Sequence, residues 1–336
     1  MTRMRVGSLW LVFAAFVLCA WQSSVWAQGT SEPSLNAWLM RVHQASRQSI
    51  YTGTFVVSAG GSMASARIWH VCDGTQQLER VETLSGTPRA IFRRNDQVVT
   101  FFPQTRVAIA EVRESLGLFP NFLKSNASTI GDFYRLKELG MERIAGFEAD
   151  VFQLIPNDQL RYGYRIWSER KSGLIVQLQT VGTDGKVLEH AAFSELQLDA
   201  QVDVGRLRRM GSTDGYQVQR PHLQKTTADS QGWILSREMD GFKPMVCYQR
   251  QGEGTGNGAA ASQNGTMQWM FSDGVATVSL FVEAFDRKRH VREGAVDMGG
   301  ATHTVTRRVQ DWWVTAVGEV PLLTLNAFAQ ALERKK

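Results

Sequence analysis

The spacing of the histidines decides whether this sequence contains a common zinc-binding motif. The six histidines are scattered along the chain, at His43, His70, His190, His222, His290 and His303. None of them makes an H-E-x-x-H motif or a pair four residues apart, the spacing that places two imidazoles on one helix face around zinc. The sequence therefore predicts no metal site.

Two glycine-containing segments resemble fragments of catalytic or nucleotide-binding motifs. GGSMA at 60–64 begins like the nucleophile elbow of a hydrolase, but it lacks the final glycine and no strand-to-helix turn is marked there. Residues 256–261 fit the G-x-G-x-x-G/A spacing, but no apolar strand leads into them and no helix pattern follows. We therefore predict no catalytic residues, no cofactor and no enzyme activity, and a hydrolase is the alternative that these fragments leave.

The amino terminus has the parts of a secretory signal peptide, which we predict to span residues 1–27. MTRMR is basic, an apolar run follows, and VWA at 25–27 places a small residue before a cleavage site, so Gln28 is predicted to begin the mature chain. Lipoprotein processing at Cys19 is disfavoured because Leu18 stands where a small residue is needed. A retained membrane anchor is the other alternative, although the apolar run is short for a membrane span.

Cleavage changes the charge and the cysteine count. It removes two of the 37 basic residues, so 35 face 32 acidic residues and the net charge falls from +5 to +3. This charge is too near neutral to indicate a nucleic-acid partner. Cys72 and Cys247 remain in an exported chain, either as separate buried thiols or as one disulfide.

The stretch 66–123 reads as a β-meander that ends in an apolar loop. Asn95-Asp96 is a two-residue hairpin signal between apolar strands. Apolar residues fall on both faces of these strands, so both faces need a cover, which a helix, a second sheet or a lipid would supply. The apolar segment 116–122 is either a plug that fills a curved sheet or a lid over its mouth.

The elements around this meander predict a mainly antiparallel β fold with helices (α+β). Residues 34–49 form an amphipathic helix, whose inward face carries Leu35, Trp38, Leu39, Val42 and Ala45. Strands then resume from Tyr134 to Leu198 at a spacing that fits a curved half-barrel sheet with packed helices. Residues 201–229 lose the apolar pattern and read as a linker with a hinge near 205–221, although Leu207 and Met210 are candidates to dock on a domain.

The carboxyl-terminal part, residues 230–336, predicts a smaller α/β domain. Ser272-Asp273-Gly274 and Gln310-Asp311 are hairpin signals. The run RKRHVR at 287–292 is a basic loop. Pro321 opens a last amphipathic helix, whose inward residues are predicted to be Leu322, Leu325, Phe328, Ala329 and Leu332.

Two sets of motifs resemble known families. GYRIWSERKSGLIVQLQTVGTDGKVLEHAAFSEL is similar to the last strands of the LolA/LolB lipoprotein-carrier fold, an open curved sheet whose helices close an apolar cavity. Together with the linker, the FSDG hairpin and the ending WVTAVGEVPLLTLNAFAQAL, it resembles the RseB/MucB family of sigma-E regulators. The segment 239–242, where a proline before Gly-Phe is expected, and the glycine-rich insertion after Arg250 depart from the family pattern.

The RseB/MucB resemblance implies a regulator in the periplasm. Residues 28–200 would be the lipid-sensing half barrel and residues 230–336 the domain that binds the anti-sigma factor. The protein would bind the periplasmic domain of a membrane-bound anti-sigma factor and shield it from a site-1 protease until lipid or lipopolysaccharide displaces it. A periplasmic carrier of lipoprotein or lipid is the alternative, and a homo-oligomer is left open.

The same resemblance suggests two groups of site residues. The acyl-chain cavity is predicted to be lined by Trp69, Phe92, Phe101, Phe102, Phe119 and Phe122. Strand alternation does not say which member of an adjacent pair points inward. The partner surface is predicted to include Arg206, Arg208, Arg209, Arg287, Lys288 and Arg289.

Overall fold

The computed structural model describes residues 34–72, 74, 76–112, 130–250 and 265–335. The predicted signal peptide and the predicted apolar loop lie outside the described residues, as does nearly all of the glycine-rich loop. Pro33–Lys336 group into one compact unit. Among the described residues, no helix combines the length and the apolar content needed to cross a membrane.

Most of the described chain is β-strand. The first part contains α1 (Leu35–Gln48), β1 (Tyr51–Ala59), β2 (Ser62–Cys72), β3 (Gln77–Thr83), β4 (Ala90–Arg94), β5 (Gln97–Phe102), β6 (Val107–Val112), α2 (Ile130–Phe133), β7 (Tyr134–Ile144), β8 (Phe147–Pro156), β9 (Gly163–Glu169), β10 (Ile175–Val181), β11 (Val187–Leu198), α3 (Val204–Arg209) and β12 (Gln217–Gln219). The second part contains β13 (Leu223–Thr226), β14 (Trp233–Leu235), β15 (Lys243–Arg250), β16 (Thr266–Ser272), β17 (Thr277–Ala284), β18 (Gly294–Asp297), β19 (His303–Val309), β20 (Trp312–Gly318), α4 (Leu322–Ala331) and β21 (Leu332–Arg334).

Two sheets organise these elements. A curved, open 12-stranded sheet has the order β12-β6-β5-β4-β3-β2-β1-β11-β10-β9-β8-β7, antiparallel throughout except for the parallel pair β12 and β6. A separate 7-stranded sheet has the order β13-β15-β16-β17-β20-β19-β18, and β14 and β21 form a small ribbon. The predicted fold class, a large curved antiparallel sheet with few helices and a smaller second domain, is confirmed.

Local turn chemistry explains several of the strand connections. Asn95 joins β4 to β5 with a positive φ of 56°, and Gln310 joins β19 to β20 with a φ of 54°. Ala145 and Gly146, both with positive φ, close the β7–β8 hairpin. Such positive φ values match the twist of two-residue hairpin loops. The predicted hairpins at Asn95-Asp96 and Gln310-Asp311 are confirmed.

The first helix packs its predicted face on the larger sheet. The Ser34 side chain accepts a hydrogen bond from Ala37 N and caps α1. The buried residues of α1 are Trp38, Leu39, Val42 and Ala45. Trp38, Leu39 and Val42 pack with apolar residues of β8, β9 and β10, such as Phe152, Ile166 and Leu178.

The last helix packs on the smaller sheet, mostly as predicted. Leu325, Phe328 and Ala329 are buried against β17, β19 and β20. The inward position predicted for Leu322 is wrong, because this side chain is 38% exposed. Thr324 takes the buried place in the first turn, and its hydroxyl donates to the Leu160 carbonyl at 2.7 Å.

The segment predicted as a linker contributes to both sheets. Residues 201–229 contain α3, β12 beside β6, and β13 beside β15. Leu207 and Met210 pack against the larger sheet, as the apolar exceptions in this polar segment suggested. The smaller sheet therefore starts at Leu223, ahead of the boundary expected at residue 230.

Candidate ligand and partner site

Three of the predicted lipid-binding aromatics lie on one face of the larger sheet. Trp69 faces Arg80 across β2 and β3, and Arg80 faces Phe92 across β3 and β4. Phe101 shares this face because Phe92 pairs with Val99, two residues before it. Phe92 and Phe101 are 8% and 3% exposed, and Trp69 packs beside them. The structure thus brings Trp69, Phe92 and Phe101 into one cluster.

Phe102 lies on the opposite face of β5. It is partly buried and shares that face with Val98, which pairs with Arg93 of β4. The sequence offered both members of the Phe101–Phe102 pair, and strand alternation separates them. Phe119 and Phe122 lie outside the described residues.

Residues 202–218 cover the aromatic cluster, and we call this stretch the cover segment. Asp203 caps α3 by accepting from Arg206 N, and Leu207 is 2% exposed against the sheet. A Cβ placed on Gly211 would overlap the Phe92 ring, so a residue without a side chain is required for this approach. Tyr216 meets Phe101 edge to face, with ring centroids 5.1 Å apart. The chain itself therefore occupies the apolar surface that a lipid was predicted to cover.

The Phe102 face carries a buried polar cluster instead. His70 is fully buried, stacks on Tyr51 at 5.0 Å and donates through Nδ1 to the Ser49 carbonyl at 2.6 Å. Glu79 lies opposite His70 in the register of β2 and β3, and its side chain is 7% exposed. Its Oε1 has no hydrogen-bond partner in the described part of the chain.

Burial is the largest cause of the pKa shifts of Glu79 and His70 in this cluster. It raises the pKa of Glu79 from 4.5 to about 7, and the nearby Arg93 acts against that shift. Burial also lowers the pKa of His70 to about 4, and the hydrogen bond to Ser49 acts the other way. Both side chains are thus shifted toward their neutral forms.

The predicted partner-binding cations lie in two separate groups. Arg206, Arg208 and Arg209 are exposed on α3, which packs on the larger sheet. Arg287, Lys288 and Arg289 are exposed in the connection after β17 of the smaller sheet.

Some of these cations form ion pairs with acidic neighbours. Arg289 pairs with Glu283, and its Nε lies 3.8 Å from Asp286. Arg209 lies 4.0 Å from Asp203. Exposed pairs of this kind contribute little free energy and leave the cations available to a partner.

A fully buried arginine joins the two sheets, and sequence reasoning missed it. Arg161, in the β8–β9 connection, donates from Nε to Asp273 Oδ2 at 2.7 Å, and both side chains are 0% exposed. Its guanidinium also pairs with Asp158 and donates to the Asp240 carbonyl. Phe133 and Phe242 lie at 4.3 and 4.8 Å from the guanidinium carbon.

The residues around Arg161 fit it closely. A Cβ on Gly241 would overlap both the guanidinium and the Phe133 ring, and Gly241 has a φ of +80°. Asp273 also accepts from Tyr134 and from the backbone N–H groups of Val275 and Ala276. The Ser-Asp-Gly hairpin predicted from sequence therefore also holds the carboxylate that meets Arg161.

Further hydrogen bonds join the same two sheets. His303 Nε2 lies 2.9 Å from the Tyr162 hydroxyl, and Ala301 N donates to Glu189 Oε1 at 2.9 Å. These contacts oppose a free hinge across residues 205–221.

The cysteines and the acidic residues form no metal site in the described part of the chain. Cys72 and Cys247 are both free thiols, which favours the interpretation as two separate thiols over a disulfide. Burial raises the pKa of Cys247 to about 11. No group of three His, Cys, Asp or Glu side chains that could hold a metal ion occurs within the described ranges.

Two models of known protein domains match this chain, one over most of each sheet. The model of the MucB/RseB N-terminal domain matches residues 34–211, and that of the MucB/RseB C-terminal domain matches residues 227–333. The chain belongs to the MucB/RseB family. This is a family of regulatory binding proteins and not of enzymes.

Individual MucB/RseB proteins are similar over nearly the whole length. The chain is 27% identical over 308 residues to the sigma factor AlgU regulatory protein MucB of Pseudomonas aeruginosa, covering 90% of this chain and 92% of that protein. It is 24% identical over 328 residues to the sigma-E factor regulatory protein RseB of Haemophilus influenzae, covering 96% and 98% of the two. A chain of the solved Pseudomonas aeruginosa MucA/MucB complex has a TM-score of 0.68 at 24% identity and matches 90% of this chain and 99% of that one.

Proposed function

We propose that this protein is a periplasmic negative regulator of a sigma-E-type envelope stress response. It binds the periplasmic domain of a membrane-bound anti-sigma factor and shields that domain from a site-1 protease. The observation that carries the proposal is the pair of MucB/RseB domains, which occur in order in one chain. A similar solved chain comes from a complex of MucB with MucA, which supports a partner of the same kind.

The second sheet favours a regulator over a simple carrier of lipid or lipoprotein. A carrier needs only the curved sheet and its cavity, whereas this chain adds a seven-stranded sheet fixed to the first by Arg161. The six exposed cations on α3 and in the 287–289 loop are the proposed electrostatic contacts to the partner. Charges at the rim of an interface act mainly on association rate and salt dependence.

Release by lipid is the second part of the proposal. The acyl-binding surface is the cluster of Trp69, Phe92 and Phe101, which the cover segment occupies in the structure. An acyl chain of lipopolysaccharide would bind there by displacing the cover segment. Each buried CH₂ contributes about 0.8 kcal/mol, and the sum must exceed the packing that Leu207 and Tyr216 lose. Because α3 belongs to the cover segment, displacement would move three of the proposed partner-binding arginines. Lipid then favours release of the anti-sigma factor because it binds the partner-free protein more tightly than the partner-bound protein.

A protection assay tests both parts. The mature protein is mixed with the anti-sigma periplasmic domain and the site-1 protease, with and without lipopolysaccharide. We expect co-purification and slowed cleavage without lipopolysaccharide, and faster cleavage with it. Absence of co-purification would contradict the regulator proposal. Protection that lipopolysaccharide leaves unchanged would contradict only the release step.

A further inference from the structure

One histidine is buried in the basic loop of the smaller sheet. This loop lies between β17 and β18 and carries three of the proposed partner-binding cations, Arg287, Lys288 and Arg289, all exposed. His290 follows them directly, but its side chain is only 6% exposed. The loop therefore packs on the sheet through this residue, while the cations beside it remain in water.

Aromatic rings hold the His290 imidazole against the sheet. It stacks on Trp313 of β20, with ring centroids 4.8 Å apart and an angle of 4° between the planes. Phe285, at the start of the connection, lies 5.8 Å from the same imidazole. Because these rings exclude water, the two imidazole nitrogens need hydrogen-bond partners within the protein.

The hydrogen bonds of His290 fix its tautomer. Asp286 N lies 2.9 Å from Nδ1, and since a backbone amide can only donate, Nδ1 accepts. A neutral imidazole carries one proton, which must then be on Nε2. Nε2 lies 3.2 Å from Glu283 Oε1 and donates to it. The observed contacts of both nitrogens are therefore those of a neutral imidazole.

Charged groups of both signs surround the imidazole. Those that face it, or the aromatic residues around it, come from β17, the loop, β19 and the β19–β20 turn, and they are Glu283, Asp286, Arg289, Arg308 and Asp311. Arg289 lies 3.3 Å from Nε2 and pairs with Glu283, and Arg308 lies 3.9 Å from the centre of the Phe285 ring. The carboxylates favour a proton on His290 and the guanidinium groups oppose it, so the consequence of protonation depends on hydrogen-bond geometry.

A second proton on His290 would break the closure of the loop. It would go to Nδ1, the nitrogen that accepts from Asp286 N, and two donors cannot hydrogen-bond to each other. The Asp286 N–H then loses its acceptor, and the ring has to turn or to leave Trp313. Histidine is the side chain that ordinarily changes its charge between about pH 5 and 8. Acidification in this range therefore acts on the loop that carries the cations.

We infer that His290 is the positioning residue of the basic loop and that its protonation releases the loop and weakens the contact with the anti-sigma factor. The neutral ring holds Arg287, Lys288 and Arg289 in one arrangement, and a preformed loop binds without the entropy cost of ordering. The protonated ring frees them, so binding then includes that cost. This inference rests on the proposed function and names acid as a signal that regulates partner binding.

Two variants separate the acceptor from the ring. His290→Asn places an amide oxygen near the position of Nδ1, so it keeps an acceptor for Asp286 N and does not titrate. His290→Phe keeps a ring for Trp313 and has no acceptor. His222→Asn changes an exposed histidine outside the loop and is the matched control.

Titration calorimetry with the anti-sigma periplasmic domain compares these variants at about pH 7.5 and about pH 5.5. We expect the wild type and His222→Asn to bind roughly tenfold more weakly at the lower pH, the effect of about one lost hydrogen bond. The affinity of His290→Asn should change much less with pH, and His290→Phe should bind weakly at both. Titration of the partner contributes equally to all four chains, so the difference between them reports His290.

NMR spectroscopy of the free wild-type chain tests the release of the loop without a partner. The His290 ring and the Asp286 amide should titrate with one midpoint, and the amide should lose its protection from exchange at the acidic end. A ring that stays neutral down to about pH 5, or an Asp286 amide that stays protected while the ring titrates, would overturn the inference. The same pH dependence of binding in the wild type and in His290→Asn would also overturn it. Each of these results leaves the regulator proposal standing, whereas absence of wild-type binding at about pH 7.5 would remove both.

Discussion

Glu79 shows how one buried residue sets a pH dependence. Its folded-state pKa of about 7 lies above the ordinary 4.5, so between these values the folded state binds more protons than the unfolded state. Stability therefore falls as pH rises through this window, by up to about 3 kcal/mol for this group. His70, with a folded-state pKa of about 4, acts in the opposite sense between pH 4 and 6.5, where the unfolded state binds more protons.

The Glu79→Gln variant isolates the first of these contributions. We expect it to be more stable than wild type in urea at pH 8, where Glu79 is charged and buried, and to lose that advantage at pH 5. Glu148→Gln, on a side chain that is 68% exposed, is the matched control and should change little at either pH. An equal effect of Glu79→Gln at both pH values would mean that the carboxyl does not titrate in this window.

At the scale of elements, the cover segment depends on Gly211. A Cβ at this position overlaps the Phe92 ring, so Gly211→Ala must push α3 or the ring away. We expect a loss of about 1–3 kcal/mol in unfolding free energy, faster proteolysis within 202–218 and stronger binding of an acylated fluorescent probe. Gly205→Ala is the control within the same segment, because its Cβ approaches nothing nearer than the Asp203 carboxylate at 3.2 Å. A variant that loosens the segment without gaining probe affinity would remove the aromatic cluster as the lipid site.

Sequence patterns predicted the elements better than the contacts between them. The face of α1 and the hairpins at Asn95 and Gln310 follow from local rules of periodicity and turn chemistry, and the structure confirms them. The separation of Phe101 from Phe102 required the register of β5, which depends on its neighbours. Arg161 carries no local signal, because its role exists only when Asp273 arrives from 112 residues away.

At the scale of the whole molecule, Arg161 couples the two sheets. Its partners come from both sides of the junction, Asp158 and Phe133 from one and Asp273 and Phe242 from the other. A buried pair of this kind does not by itself guarantee stability, since both ions lose hydration. The pair instead orients the two sheets, because Arg161 meets Asp273 only when the sheets are placed as they are in this structure.

The last prediction follows from this role of Arg161 in orienting the two sheets. Arg161→Met leaves the Asp273 carboxylate buried without its cation, and removing one partner of a buried pair costs about 3–5 kcal/mol. We expect the wild-type protein to unfold in a single calorimetric transition and the variant in two, one for each sheet, with the lower one strongly shifted down. Arg170→Met removes an arginine that is 50% exposed and pairs with Asp150 at 3.1 Å, so it should leave one transition near the wild-type temperature. The double variant Arg161→Met with Asp273→Asn should recover part of the loss, because the amide keeps an oxygen for Val275 and Ala276 and carries no charge. If Arg161→Met still unfolds in one transition at the wild-type temperature, the sheets are held together by the remaining contacts, such as Tyr162 with His303, and not by this ion pair.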